Sequence, residues 1–202
     1  MRFYGTILDA LARVNTLVLA IGRQIAWVLM ALMVVVVLVQ VWWRYVVGSA
    51  FSWTEEAALG LMVWMIGLSA ASAWRWGGFV AIDLFPEALP RRVGQVLRLL
   101  ILFLALGILL VLFERAQAGL NAVTIFNSSG LNRLLQDSGI NEWLGTELEF
   151  RTNYIRVAMN VYFAVMIAVT VEMILRLVGR LIWGEDAFPE PDTPPALITR
   201  AE

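Results

Sequence analysis

Residues 25–43 read IAWVLMALMVVVVLVQVWW, and residues 44–56 continue RYVVGSAFSWTEE. An apolar run then leads to WRWGGFVAIDLFPEALP at residues 74–90. In the first run Gln40 is the one polar side chain. A hydrocarbon core about 30 Å thick needs roughly 20 apolar residues at 1.5 Å each, so this run can cross a bilayer. The charged stretch that follows stands beside the membrane, where ionisable groups are costly and pair with something.

Three further windows approach the same length: residues 57–74, residues 96–113 with Arg98 near the start, and residues 157–175 carrying Asn160 and Glu172. The first window is too long for a signal-peptide core and lacks a small-residue cleavage site. The sequence therefore predicts an all-α membrane protein with four transmembrane helices. The expected integral membrane domain is 1–186, with spans at about 25–46, 54–75, 93–118 and 153–180. Residues 187–202 hold four of the six prolines with several acids, which predicts a disordered cytoplasmic tail.

Composition removes whole classes of chemistry. The chain has 202 residues, of which 60% are hydrophobic, above the level of a soluble domain. Its net charge of −1 offers no basic surface, so nucleic acid is not an expected partner. Cys, His and Lys are absent, and all 15 basic residues are Arg. Without Cys there is no disulfide, thiol catalysis or iron–sulfur ligation. Without His there is no axial imidazole for a b-type haem and no ordinary zinc site. No enzyme activity, cofactor or metal is expected.

Arginine placement predicts orientation. With both termini inside, Arg2, Arg13, Arg23, Arg75, Arg91, Arg92, Arg98, Arg176, Arg180 and Arg200 fall on the inner side, and Arg44, Arg115, Arg133, Arg151 and Arg156 outside. The long loop of residues 114–153 is then external. Its apolar islands, Leu131, Leu134, Leu135, Ile140, Trp143 and Leu144, suggest short helices on the outer surface, either as plain loop or as a docking face. Ahead of the first span, Phe3, Ile7, Leu11, Val14 and Val18 recur at helical spacing. That pattern predicts an amphipathic helix at the inner interface, against the alternative of a simple extension of the first helix.

The polar residues fall at helix ends. Ser52-Trp53-Thr54-Glu55 fits a capping box, with Glu55 and Glu56 at the positive end of a helix dipole. Arg44 closes the first helix on the same side, so an ion pair with Glu55 or Glu56 would pin the hairpin; the second acid would be left for another chain. Trp42, Trp43 and Trp53 mark one interface, Trp74 and Trp76 the other. Trp64 lies mid-membrane and is expected against a neighbouring helix. Gly60, Gly67 and Ala71 share a face that permits close approach. At the inner turn, Gly77-Gly78 can end the second helix, and Asp83 lies near Arg75, Arg91 and Arg92. A phosphate loop is excluded by the spacing and by the missing Lys. Glu172 and Arg176 are four apart and can neutralise one another. No cluster of polar groups or broken helix marks a midplane substrate site.

Arg44-Tyr45-Val46, Gly48, Trp53, Glu55-Glu56, Trp64, Gly67, Arg75, Gly78, Asp83-Leu84 and Leu89-Pro90 together resemble the DctQ-like small membrane subunit of the tripartite ATP-independent periplasmic transporters. The likeness covers residues 44–90, and the four-span layout agrees along the whole chain. One departure is Phe79, where many relatives carry His. The resemblance implies a multi-pass subunit of the bacterial inner membrane, in contact with lipid. Its implied partners are a large multispanning elevator-type subunit and a periplasmic substrate-binding protein, with import driven by an ion gradient. It also makes Arg44, Trp53, Glu55, Glu56, Trp64, Arg75, Gly78 and Asp83 the expected assembly residues. The alternatives are a stand-alone membrane scaffold or assembly factor, and a small independent carrier, which the apolar midplane argues against.

Overall fold

The computed structural model describes residues 2–48, 52–76, 90–120, 130, 132, 133, 153–184 and 188. Four long helices carry almost all of them: α1 (Arg2–Trp42), α2 (Ser52–Arg75), α3 (Arg91–Leu120) and α4 (Asn153–Trp183). All four are long and apolar enough to cross a membrane. The physical reason is strict. Hydrocarbon offers no partner to a backbone N–H or C=O, so the chain satisfies them within each helix.

α1 is one unbroken helix of 41 residues, about 61 Å at 1.5 Å per residue. Residues 3–21 and the first span form this one helix without a break. The helix ends in a wider π turn, Trp43–Val47, closed by Gly48 at φ 75°, a left-handed position that glycine occupies without strain. α3 starts directly after Pro90, whose carbonyl accepts from Val93 and Gly94 N–H at 2.8 and 3.0 Å. It runs on to Leu120, two residues past the expected span of about 93–118. α4 stops at Gly184 (φ 98°), whose N–H reaches the Arg180 carbonyl at 3.0 Å.

The chain divides into two compact units, and the helices run through both. Unit 1 comprises residues 1–20, 70–111 and 164–202. Its apolar core is Leu102, Ile174 and Leu177, packed by Trp74, Leu99, Leu106, Met173 and Val178. A second cluster joins Tyr4, Trp183 and Phe188, with ring centroids 5.0–6.1 Å apart. Gly179 makes room for it, since a Cβ there would lie 2.7 Å from the Phe188 ring.

Unit 2 comprises residues 21–69 and 112–163. The expected small-residue face of α2 is used here: a Cβ on Gly60 would lie 2.7 Å from the Tyr154 ring, and one on Gly67 3.4 Å from Tyr162. Arg156 of α4 donates to the Gly119 carbonyl at 2.6 Å, satisfying an orphan acceptor in the last turn of α3.

Contact partners fix the helix directions. Gly60 meets Tyr154 and Gly67 meets Tyr162 in unit 2, while Trp74 bonds Thr170 in unit 1. The numbers rise together, so α2 and α4 run parallel. Tyr4 bonds the Leu175 carbonyl and Asn15 that of Ala168, so α1 opposes α4.

Candidate functional site

Glu172 is the most demanding residue in the fold. It sits in an apolar helix with a relative exposure of 1%. A carboxylate taken out of water is stable only if charges and donors meet its lone pairs. Three helices supply them. From α2, Arg75 Nη2 donates to Oε1 at 2.6 Å. From the next turn of α4, Arg176 donates to the same oxygen through Nε and Nη2, at 3.1 and 3.0 Å. From α1, Asn15 Nδ2 donates to Oε2 at 2.8 Å and to the Ala168 carbonyl at 3.2 Å.

Arg75 is itself 5% exposed. Its Nη1 donates to Thr16 Oγ1 at 2.7 Å and its Nη2 also reaches the Ala12 carbonyl at 3.3 Å. The guanidinium carbon stands 5.6 Å from the Trp76 ring centre. Its Nε is buried and has no hydrogen-bond partner. Beside the cluster, Trp74 Nε1 donates to Thr170 Oγ1 at 3.2 Å, and that hydroxyl donates to the Met166 carbonyl at 2.7 Å.

One carboxylate thus ties α1, α2 and α4 at a single level. Among the described residues two guanidinium groups face this one acid. Among the described residues no group of His, Cys, Asp or Glu is placed to hold a metal ion. The Glu172 oxygens are spent on four donors, so this carboxylate is placed to hold helices together.

The expected assembly residues fare differently. Arg75 enters the cluster, but its acid is Glu172; Asp83 and Gly78 lie outside the described residues. The Glu172–Arg176 pair forms as its spacing predicted. The hairpin pair does not: Arg44 sits exposed in the π turn and makes no ion pair among the described residues. Glu55 is exposed as well, while Glu56 accepts from the Gly130 N–H at 3.3 Å. The π turn accounts for this, because it re-aims the residues after Trp42. The capping bond rests on Ser52, whose side chain lies outside the described ones; Thr54 beside it is fully buried. Trp53 and Trp64 are half-buried.

Sequence reasoning missed Asn15 and Thr16. Their signal was present: Asn15 is a lone amide within an apolar stretch, and Glu172 needs more than one neighbour.

The model of the DctQ component of tripartite ATP-independent periplasmic transporters matches residues 33–180, nearly three-quarters of the chain. The chain belongs to the DctQ family. No curated protein matches it. The DctQ match takes in Arg75, Glu172 and Arg176, whereas Asn15 and Thr16 precede it. This DctQ chain is a multi-pass transporter component, and no catalytic family is indicated.

Proposed function

We propose that this DctQ chain is the fixed, non-catalytic small subunit of an importer driven by an ion gradient. It scaffolds a large elevator-type subunit in the bacterial inner membrane, and that pair takes solute from a periplasmic binding protein. The observation that carries this reading is the use made of buried charge. Ionisable groups in membrane helices ordinarily mark an ion or substrate path. Here Glu172, Arg75 and Arg176 are consumed in tying three helices, which suits a rigid frame. Arg44 and Glu55 remain exposed at the opposite ends of their helices from this cluster, and they are the charges available to a partner chain.

The antiparallel helices agree with both termini on one side, and the arginine bias favours the cytoplasmic side. A green fluorescent reporter fused after Glu202 is expected to fluoresce. Alkaline phosphatase inserted after Gly48 is expected to be active; the reverse pattern would invert the orientation.

Assembly is tested by tagging this chain and co-expressing it with a large multispanning subunit of the same transporter. A stable one-to-one complex is expected. Arg44→Glu should lower its recovery about tenfold, the effect of some 1.4 kcal/mol at a charged contact. The variant chain itself should fold normally, since Arg44 makes no bond among the described residues. Undiminished recovery would remove Arg44 from the interface. A chain that purifies alone while both are expressed would make it a stand-alone scaffold.

A further inference from the structure

A cleft of ≈ 630 Å³ opens beside the buried cluster, within unit 1. Its polar end is formed by Asp9, Arg13, Thr16, Arg75 and Arg176, and its wall continues over Leu17 and Ala20. Among the described residues, three guanidinium groups line it against one carboxylate. Arg13 is exposed and, among the described residues, makes no bond, even with Asp9 one turn before it.

We propose that this cleft binds the headgroup phosphate of an anionic glycerophospholipid. The guanidinium lining, with Arg13 exposed in it, calls for an anionic ligand. Guanidinium groups suit phosphate oxygens, since each offers paired N–H donors. The order of residues selects a lipid over free phosphate. Along α1 the lining passes from Asp9 and Arg13 through Thr16 to Leu17 and Ala20, and the apolar run begins at residue 25. That is the sequence headgroup, glycerol, acyl chain. Basic pockets at the ends of membrane helices take anionic headgroups in this way. Asp9 at the rim accepts from the hydroxyls of a glycerol headgroup and repels a second phosphate. The inference needs only that the chain spans a membrane, and it stands if the transport reading fails.

The test uses the full-length chain, delipidated in mild detergent and titrated with phosphatidylglycerol, phosphatidylethanolamine or phosphatidylcholine of matched acyl chains. Bound lipid is read by native mass spectrometry. Phosphatidylglycerol is expected to bind more tightly than either zwitterionic lipid. Arg13→Gln should weaken it about fivefold, the equivalent of roughly 1 kcal/mol for one cation at a membrane surface. Arg13→Glu should weaken it further, and Arg23→Gln, off the cleft, should leave it unchanged. Equal binding of the three lipids would overturn the proposal, as would an Arg13→Glu chain that still prefers phosphatidylglycerol. Equal losses from Arg23→Gln and Arg13→Gln would reduce the effect to diffuse surface charge. Displacement of the lipid by inorganic phosphate at equal concentration would make the ligand a free anion.

Discussion

Replacing Glu172 with Ala lowers the resistance of the chain to unfolding by about 3–5 kcal/mol, the usual cost of removing one partner from a buried ion pair. The size follows from what is left behind. Arg75, 5% exposed, would keep its charge with Thr16, the Ala12 carbonyl and the Trp76 ring to meet it among the described residues. Asn15 would lose its contact with Oε2. Arg176 suffers less, because at 15% exposure its long stem can carry the charge outward. The double variant Arg75→Met with Glu172→Met should recover most of the loss, since a well-packed apolar pair substitutes for a buried ion pair at little cost. SDS titration of the chain in mixed micelles measures both. A Glu172→Ala chain as resistant as the parent would mean that the three-helix tie contributes nothing.

The second large effect concerns Gly60. A Cβ at that position would stand 2.7 Å from Tyr154 Cε2, a separation that carbon atoms do not tolerate. Gly60→Ala forces the ring aside and should cost about 1–3 kcal/mol, as overpacking does; Gly60→Leu should exceed it. Gly67 supplies the internal comparison, because its Cβ would meet Tyr162 at 3.4 Å, an ordinary contact. Gly67→Ala should therefore be nearly silent. Removing the obstruction, with Tyr154→Ala in the Gly60→Leu background, should restore part of the loss. If Gly60→Leu unfolds at the parental SDS fraction, close packing of α2 on α4 is not what holds unit 2.

The four helices were legible because lipid leaves the backbone no other solution, and a run of apolar residues announces it. The glycine face of α2 was legible for a related reason: small side chains in a membrane helix mark a close neighbour. Local pairing was readable too, as Glu172 and Arg176 show. Along α1, periodicity picked out Phe3, Ile7, Leu11, Val14 and Val18 as a face for the membrane interface; Ile7, Val14 and Val18 are exposed, and Leu8, Asn15 and Leu19, which periodicity did not single out, are buried. In a soluble protein the most apolar face turns inward. Beside lipid it can turn outward, leaving the polar Asn15 to face its neighbours, so the same pattern carries the opposite meaning.

Arg75 was recognised as important, but Glu172 was not recognised as its partner. Asp83 is close along the chain, but Glu172 is close because α2 and α4 lie parallel in a particular register. Nothing in either helix alone sets that register. It follows from the fit of whole side chains, Tyr154 on Gly60 and Tyr162 on Gly67 in one unit, Trp74 on Thr170 in the other. Arg44 failed for a simpler reason. Pairing across the hairpin assumed an ordinary helical end, and a π turn followed by Gly48 stands there instead.

The bond from Arg156 to the Gly119 carbonyl has a bearing on the stretch it encloses. It brings both ends of residues 121–152 to one point of departure, so the closure entropy of that stretch is met by the helices it leaves and enters. Lengthening a closed loop is cheap thereafter: doubling its length costs only about 0.6 kcal/mol. An insertion between Leu120 and Asn153 is therefore expected to cost little in closure entropy where it keeps the Gly130 N–H on Glu56.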